Sequence, residues 1–101
     1  MAVSDPYLDK LLRAVRIRNA NADIRTEVTD LCEEARLDLE MLGVLPTKTA
    51  DETDPLILGA VRSFVRWKMA ADDKEAAFNM NDYLLQRDEL RRRGAYIGVS
   101  P

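Results

Sequence analysis

Histidine is absent from the 101-residue chain, and Cys32 is its only cysteine. These two gaps exclude an internal disulfide, a zinc site of the usual cysteine and histidine kind, and a Ser-His or Cys-His nucleophile. The sequence also has no glycine-rich phosphate loop, no internal repeat and no low-complexity segment. No apolar run approaches the roughly 18 to 20 residues needed to span a bilayer, so no membrane partner is expected. The N-terminal MAVSDPYLDK carries acids and a proline where a secretory signal carries basic residues and a long apolar stretch; it reads as unprocessed and cytosolic. No catalytic residue, cofactor or metal is expected.

What is present is the composition of one globular domain, 47% apolar and 33% charged. The formal net charge of -3 hides a segregation. Residues 7–18 hold Lys10, Arg13, Arg16 and Arg18 against Asp9, whereas residues 23–42 hold seven acids against Arg25 and Arg36. Such opposed patches either pair separate copies of the chain or neutralise one another inside a single copy.

The expected fold is all-α, a four-helix bundle-like single domain with helices at about 6–18, 23–42, 55–71 and 73–92. Ser4 or Asp5, Asn21 or Asp23, Asp54, and Asp72 or Asp73 stand where N-caps belong, with Pro6 and Pro55 in first turns and Gly43 as a C-terminal stop. At 100° per residue, Ile24, Val28, Leu31, Cys32, Ala35, Leu39 and Leu42 lie within about 100° of arc. That stripe makes Cys32 a small core residue rather than a reactive one. Leu37 and Met41 fall on the opposite side, between Asp30 and Glu34, and are candidates for a subunit contact, unless they are ordinary surface residues.

Residues 43–54 form an aperiodic connection, long for a helix pair and therefore either mobile or docked. Its acids Asp51, Glu52 and Asp54 lack the spacing of a calcium loop and read as solvated. The third helix, within DPLILGAVRSFVRWKM, is apolar over more than half its circumference, which requires cover on two or more sides. Its polar strip carries Arg62 and Arg66 at i and i+4, which must face a partner or the acidic second helix. The fourth helix also divides its apolar residues, with Tyr83 and Leu90 on one side and Phe78 and Leu85 nearly opposite, so it too reads as sandwiched. Arg91, Arg92 and Arg93 either complement the helix dipole or contact phosphate. The tail AYIGVSP, with Tyr96, Ile97 and Val99, is expected to be extended and to dock on a neighbour.

Three segments resemble the head-tail connector proteins of tailed bacteriophages, also called head-completion or DNA-packaging adaptor proteins. They are a first helix with Leu11, Leu12, Val15 and Ile17; an acidic helix ending in Ala35, Arg36, Asp38, Leu39, Gly43 and Val44; and DPLILGAVRSFV with Asp54, Pro55, Leu56, Ile57, Ala60, Val61, Phe64 and Val65. The likeness spans about residues 7–93, keeps Tyr83 and Leu90 in the last helix and departs at Gln86. It implies a structural, non-enzymatic subunit of a homo-oligomeric ring, typically about twelve copies, and the basic first helix and acidic second helix would suit head-to-tail pairing, which closes a ring when the rotation permits. Such a ring docks below the portal protein of the virion, extends the channel for DNA that passes without sequence-specific binding, and offers a surface to a tail-side connector or stopper protein. Host cytoplasm is then the site of assembly and the head-tail junction the final location. The rival reading is a small helical regulatory or nucleic-acid-binding module that uses Arg87 and the arginine triplet on phosphate. A carboxylate-based activity fails on geometry, because Glu33 with Glu34 and Asp72 with Asp73 are sequence neighbours that point apart.

Overall fold

The computed structural model describes residues 2–98, and Val99 lies outside them. Among the described residues the chain is all-helical: α1 Asp5–Ala14, α2 Ala22–Met41, α3 Pro46–Thr49, α4 Pro55–Lys68, α5 Asp73–Arg91 and α6 Gly94–Ile97. Each of the four longer helices begins on a side chain that accepts from the backbone. Ser4 accepts from the Tyr7 amide at 3.3 Å, Asn21 from Ile24 at 2.9 Å, Asp54 from Leu56 at 2.9 Å and from Ile57 at 3.2 Å, and Asp72 from Glu75 at 2.8 Å. Five of the orphan N–H donors left by helix geometry are thereby satisfied locally.

The C-terminal ends differ from the sequence reading. α1 stops at Ala14, four residues short of the expected boundary, because the chain turns left-handed at Arg16, φ 60°. Ile17 N–H donates to Leu12 O at 3.0 Å and Arg16 N–H to Arg13 O at 3.0 Å. That is a Schellman closure with arginine at the position glycine normally takes. α2 closes identically through Val44 to Leu39 at 3.1 Å and Gly43 to Glu40 at 2.9 Å, here with Gly43 at φ 102°. α4 ends at Lys68 rather than near 71.

α4 is the central helix, in contact with α1, α2 and α5. Ile57, Leu58, Ala60, Val61, Phe64 and Val65 are buried against Leu8, Leu11 and Leu12 of α1, Val28, Cys32, Ala35 and Leu39 of α2, and Tyr83 and Leu90 of α5. The ring of Phe64 meets Tyr83 edge-on at 5.1 Å and Trp67 at 5.6 Å. Gln86, where an apolar residue was expected, joins α5 to α4 instead: its amide donates to Ser63 Oγ at 2.7 Å and Asp82 Oδ2 at 3.1 Å, while Ser63 donates to Asp82 at 2.9 Å. Gly59 permits this approach, since a Cβ there would stand 3.0 Å from Gln86 Oε1.

The 43–54 connection is docked and partly helical. α3 occupies its middle, Thr49 donates to Glu40 at 3.0 Å, and Glu52 accepts from the Ser4 amide at 3.0 Å and from the Ser4 hydroxyl, with Arg36 at 3.4 Å. Its acids therefore tie the chain together. The described part of the tail, up to Gly98, is not extended: it forms α6, with the Leu45 amide donating to Tyr96 O at 2.8 Å and the Tyr96 hydroxyl to Asp54 Oδ2 at 2.7 Å. Non-local hydrogen bonds to the 43–54 connection, which periodicity does not reveal, decide its shape. The Cα envelope measures 44 × 30 × 19 Å, a slab about two helices thick.

Candidate assembly surface

A slab this thin covers α4 but leaves outer faces on α2 and α5. On α2, Leu37 is 58% exposed and Met41 78%; on α5, Phe78 and Leu85 are each 72% exposed. The reason is the wheel. The same helices that put Cys32, Leu39 and Tyr83 inward put these four outward, since a single packed side uses only one arc. α5, expected to be sandwiched, therefore has one packed side within the chain. Leu56 of α4, 40% exposed, lies beside Leu85 of α5.

Two of the grooves alongside α4 hold the exposed Leu37, Met41 and Phe78. One, of about 250 Å³, lies between α2 and α5 and is lined by Leu37, Met41, Phe64, Trp67 and Leu84, with Glu34, Asp38, Lys68 and Arg87 among its polar residues. Tyr83 fixes its wall: the hydroxyl donates to Asp38 Oδ2 at 2.6 Å, and Arg87 donates to the same oxygen at 3.3 Å. Burial, reinforced by the Asp38 hydrogen bond and charge, pushes the Tyr83 phenol above its ordinary range. The Lys68 ammonium stands 4.1 Å over the Trp67 ring. The second groove, of about 410 Å³, lies between the end of α1 and the start of α5 and is lined by Arg16, Arg66, Met69, Glu75 and Phe78.

The opposed charges of α1 and α2 neutralise each other only in part, and through their minority members. Arg25 of α2 pairs with Asp5 at 3.4 Å and Asp9 at 3.2 Å of α1. Among the described residues no ion pair involves Lys10, Arg13, Arg16 or Arg18 on one side, or Glu27, Asp30, Glu33 or Glu34 on the other.

The other sequence candidates separate into two groups. Arg66 Nε donates to Ala14 O at 3.1 Å, which ties α4 to the end of α1, and Arg62 is half-buried on the same strip. Among the described residues neither forms an ion pair with the acids of α2. The arginine triplet is held along its own chain: Arg91 to Asp88 at 2.7 Å, Arg92 to Asp88 at 2.9 Å and Arg93 to Glu89 at 3.0 Å. Tyr96 is half-buried in its own chain, where burial and the Asp54 hydrogen bond push its phenol up to about 12, and Ile97 is half-buried beside it. Cys32 is fully buried, and burial pushes its thiol up to about 11, so thiolate chemistry at neutral pH is suppressed.

No described group of three or more histidine, cysteine, aspartate or glutamate side chains is arranged to hold a metal ion, and no described helix is long and apolar enough to cross a membrane. The chain matches no protein-family model, no curated protein and no solved structure.

Proposed function

We propose that the chain is a structural, non-catalytic subunit of a phage head-tail connector ring. The observation that carries this reading is the outward placement of Leu37, Met41, Phe78 and Leu85 on two helices whose other sides already fill the core. Each large apolar side chain moved from water into a contact contributes about 1.5–3 kcal/mol before the costs of association, so four of them favour a multi-subunit state. The resemblance of the three segments to head-tail connectors supports the class. Copies of the chain bury these faces against one another below the portal protein of the virion after assembly in the host cytoplasm. The ring continues the DNA channel and presents the opposite rim to a tail-side connector or stopper protein.

DNA passes such a ring and must not adhere to it. The pairing of Arg91, Arg92 and Arg93 with Asp88 and Glu89 suits that demand and weighs against the phosphate-binding alternative. Negative-stain imaging of portal-bearing capsids mixed with the protein tests the reading. Ring density below the portal supports it; bare portals at saturating protein overturn it, as does tight sequence-specific binding of short duplex DNA at physiological salt.

A further inference from the structure

The two grooves differ in charge balance and look in different directions: Glu34 and Asp38 are offset by Lys68 and Arg87 in the first, whereas Arg16 and Arg66 outnumber Glu75 in the second, so the acidic excess of α2 lies at Asp30 and Glu34, toward the N-terminal end of the stripe. On α2, Asp30, Glu34, Leu37 and Met41 follow one another at i, i+4, i+7 and i+11 and share about 60° of arc. All four are exposed, and neither acid has an ion pair among the described residues. This is an apolar patch with an acidic end. Across the molecule, exposed Phe78 shares its groove with Arg16 and Arg66, and exposed Arg13 extends the basic character along α1. Glu75 is the single acid lining that groove. On α4 the residues lining the first groove, Phe64, Trp67 and Lys68, point about 180° away from Arg66 and Met69 of the second.

We infer that the subunit contact is heterologous: the Phe78 groove of one copy, with Arg13 and Arg16, seats on the Leu37–Met41 stripe of the next, with Asp30 and Glu34. This rests on the ring reading and specifies its interface. Charge complementarity selects the occupant. Two acidic stripes brought together across a two-fold axis would set Asp30 and Glu34 against like charges, whereas the basic groove supplies their counterions and an aromatic anchor together. The internal pairing through Arg25 leaves both sets of charges available. Because the complementary patches lie on opposite sides of α4, each copy retains one open patch after pairing, which is the condition for a closed ring or a filament.

Directional cross-linking tests this. Met41→Cys and Phe78→Cys are made separately in the full chain; native Cys32 is fully buried and stays silent. Under oxidising conditions the mixture of the two variants is expected to give a covalent dimer containing one of each, while either variant alone gives none. A Met41→Cys sample that cross-links by itself as readily as the mixture overturns the inference in favour of a two-fold contact. A mixture without cross-link also overturns it, and sedimentation then separates two cases: assembly without cross-linking leaves the ring reading standing on another interface, and a monomer at every concentration and on portals removes the ring reading as well. Charge reversal gives a second arm. Glu34→Arg and Arg16→Glu are each expected to weaken association roughly tenfold or more, and a mixture of the two variants to recover most of the loss; absence of recovery contradicts the pairing.

Discussion

Helices α4 and α5 are both apolar on more than one side, yet only α4 is covered within the chain. α4 has α1, α2 and α5 around it, and its apolar positions from Ile57 to Val65 are buried. α5 packs chiefly on α4, so Tyr83 and Leu90 are inside while Phe78 and Leu85 stand in water. The lesson is that an apolar wheel states a demand for cover without saying which molecule meets it. For α4 the same chain does; for α5 one copy of the chain leaves Phe78 and Leu85 uncovered.

Substitutions should divide along that line. Phe64→Ala, which removes a 4% exposed ring from the aromatic cluster, is expected to cost about 3–5 kcal/mol of unfolding free energy by chemical denaturation. A smaller loss comes from Tyr83→Phe, which removes the bond to Asp38: about 1–2 kcal/mol at neutral pH. The same variant carries a pH signature. The Tyr83 phenol is held protonated in the folded state above its ordinary value of 10.0, so its stabilisation is complete below that pH and falls as pH rises beyond it. Denaturation curves across the alkaline range should therefore show a shallower decline for Tyr83→Phe than for the parent chain.

The two Schellman ends give a matched pair of smaller effects. Gly43→Ala places a side chain at φ 102° and is expected to cost about 1 kcal/mol, while Arg16→Gly relieves φ 60° and is expected to gain about 0.5 kcal/mol in thermal unfolding. The smallest effect on folding belongs to α5: Phe78→Ser should change stability by no more than about 0.5 kcal/mol, while sedimentation shows weakened association. A large destabilisation by Phe78→Ser would erase the contrast between the two helices.

The pair of helix ends also shows why parts of the fold were legible and others were not. Gly43 announced its own stop because glycine takes the left-handed position without a Cβ penalty. Arg16 gave no such signal, and α1 was read four residues too long; what closes it is Ile17 folding back to Leu12, a contact set by packing against the core. Likewise Ser4, Asn21, Asp54 and Asp72 were readable as caps because capping is local, whereas α6 and the docking of Tyr96 on Asp54 depend on a partner 42 residues away. The outward faces were legible for Leu37, Met41, Phe78 and Leu85 because helical phase alone separates them from the core stripe. The Asp38 link between Tyr83 and Arg87, which shapes the groove beside them, was hidden because it joins two helices distant in sequence.

The central claim is that this chain carries more apolar helical surface than one copy covers. Leu37→Glu combined with Phe78→Glu, compared with the parent chain by sedimentation equilibrium from micromolar to millimolar protein and by circular dichroism, tests it most directly. The account predicts a parent chain that associates and a variant that keeps its helical spectrum and cooperative unfolding yet stays monomeric throughout. A variant that unfolds, or one that associates as strongly as the parent, contradicts it.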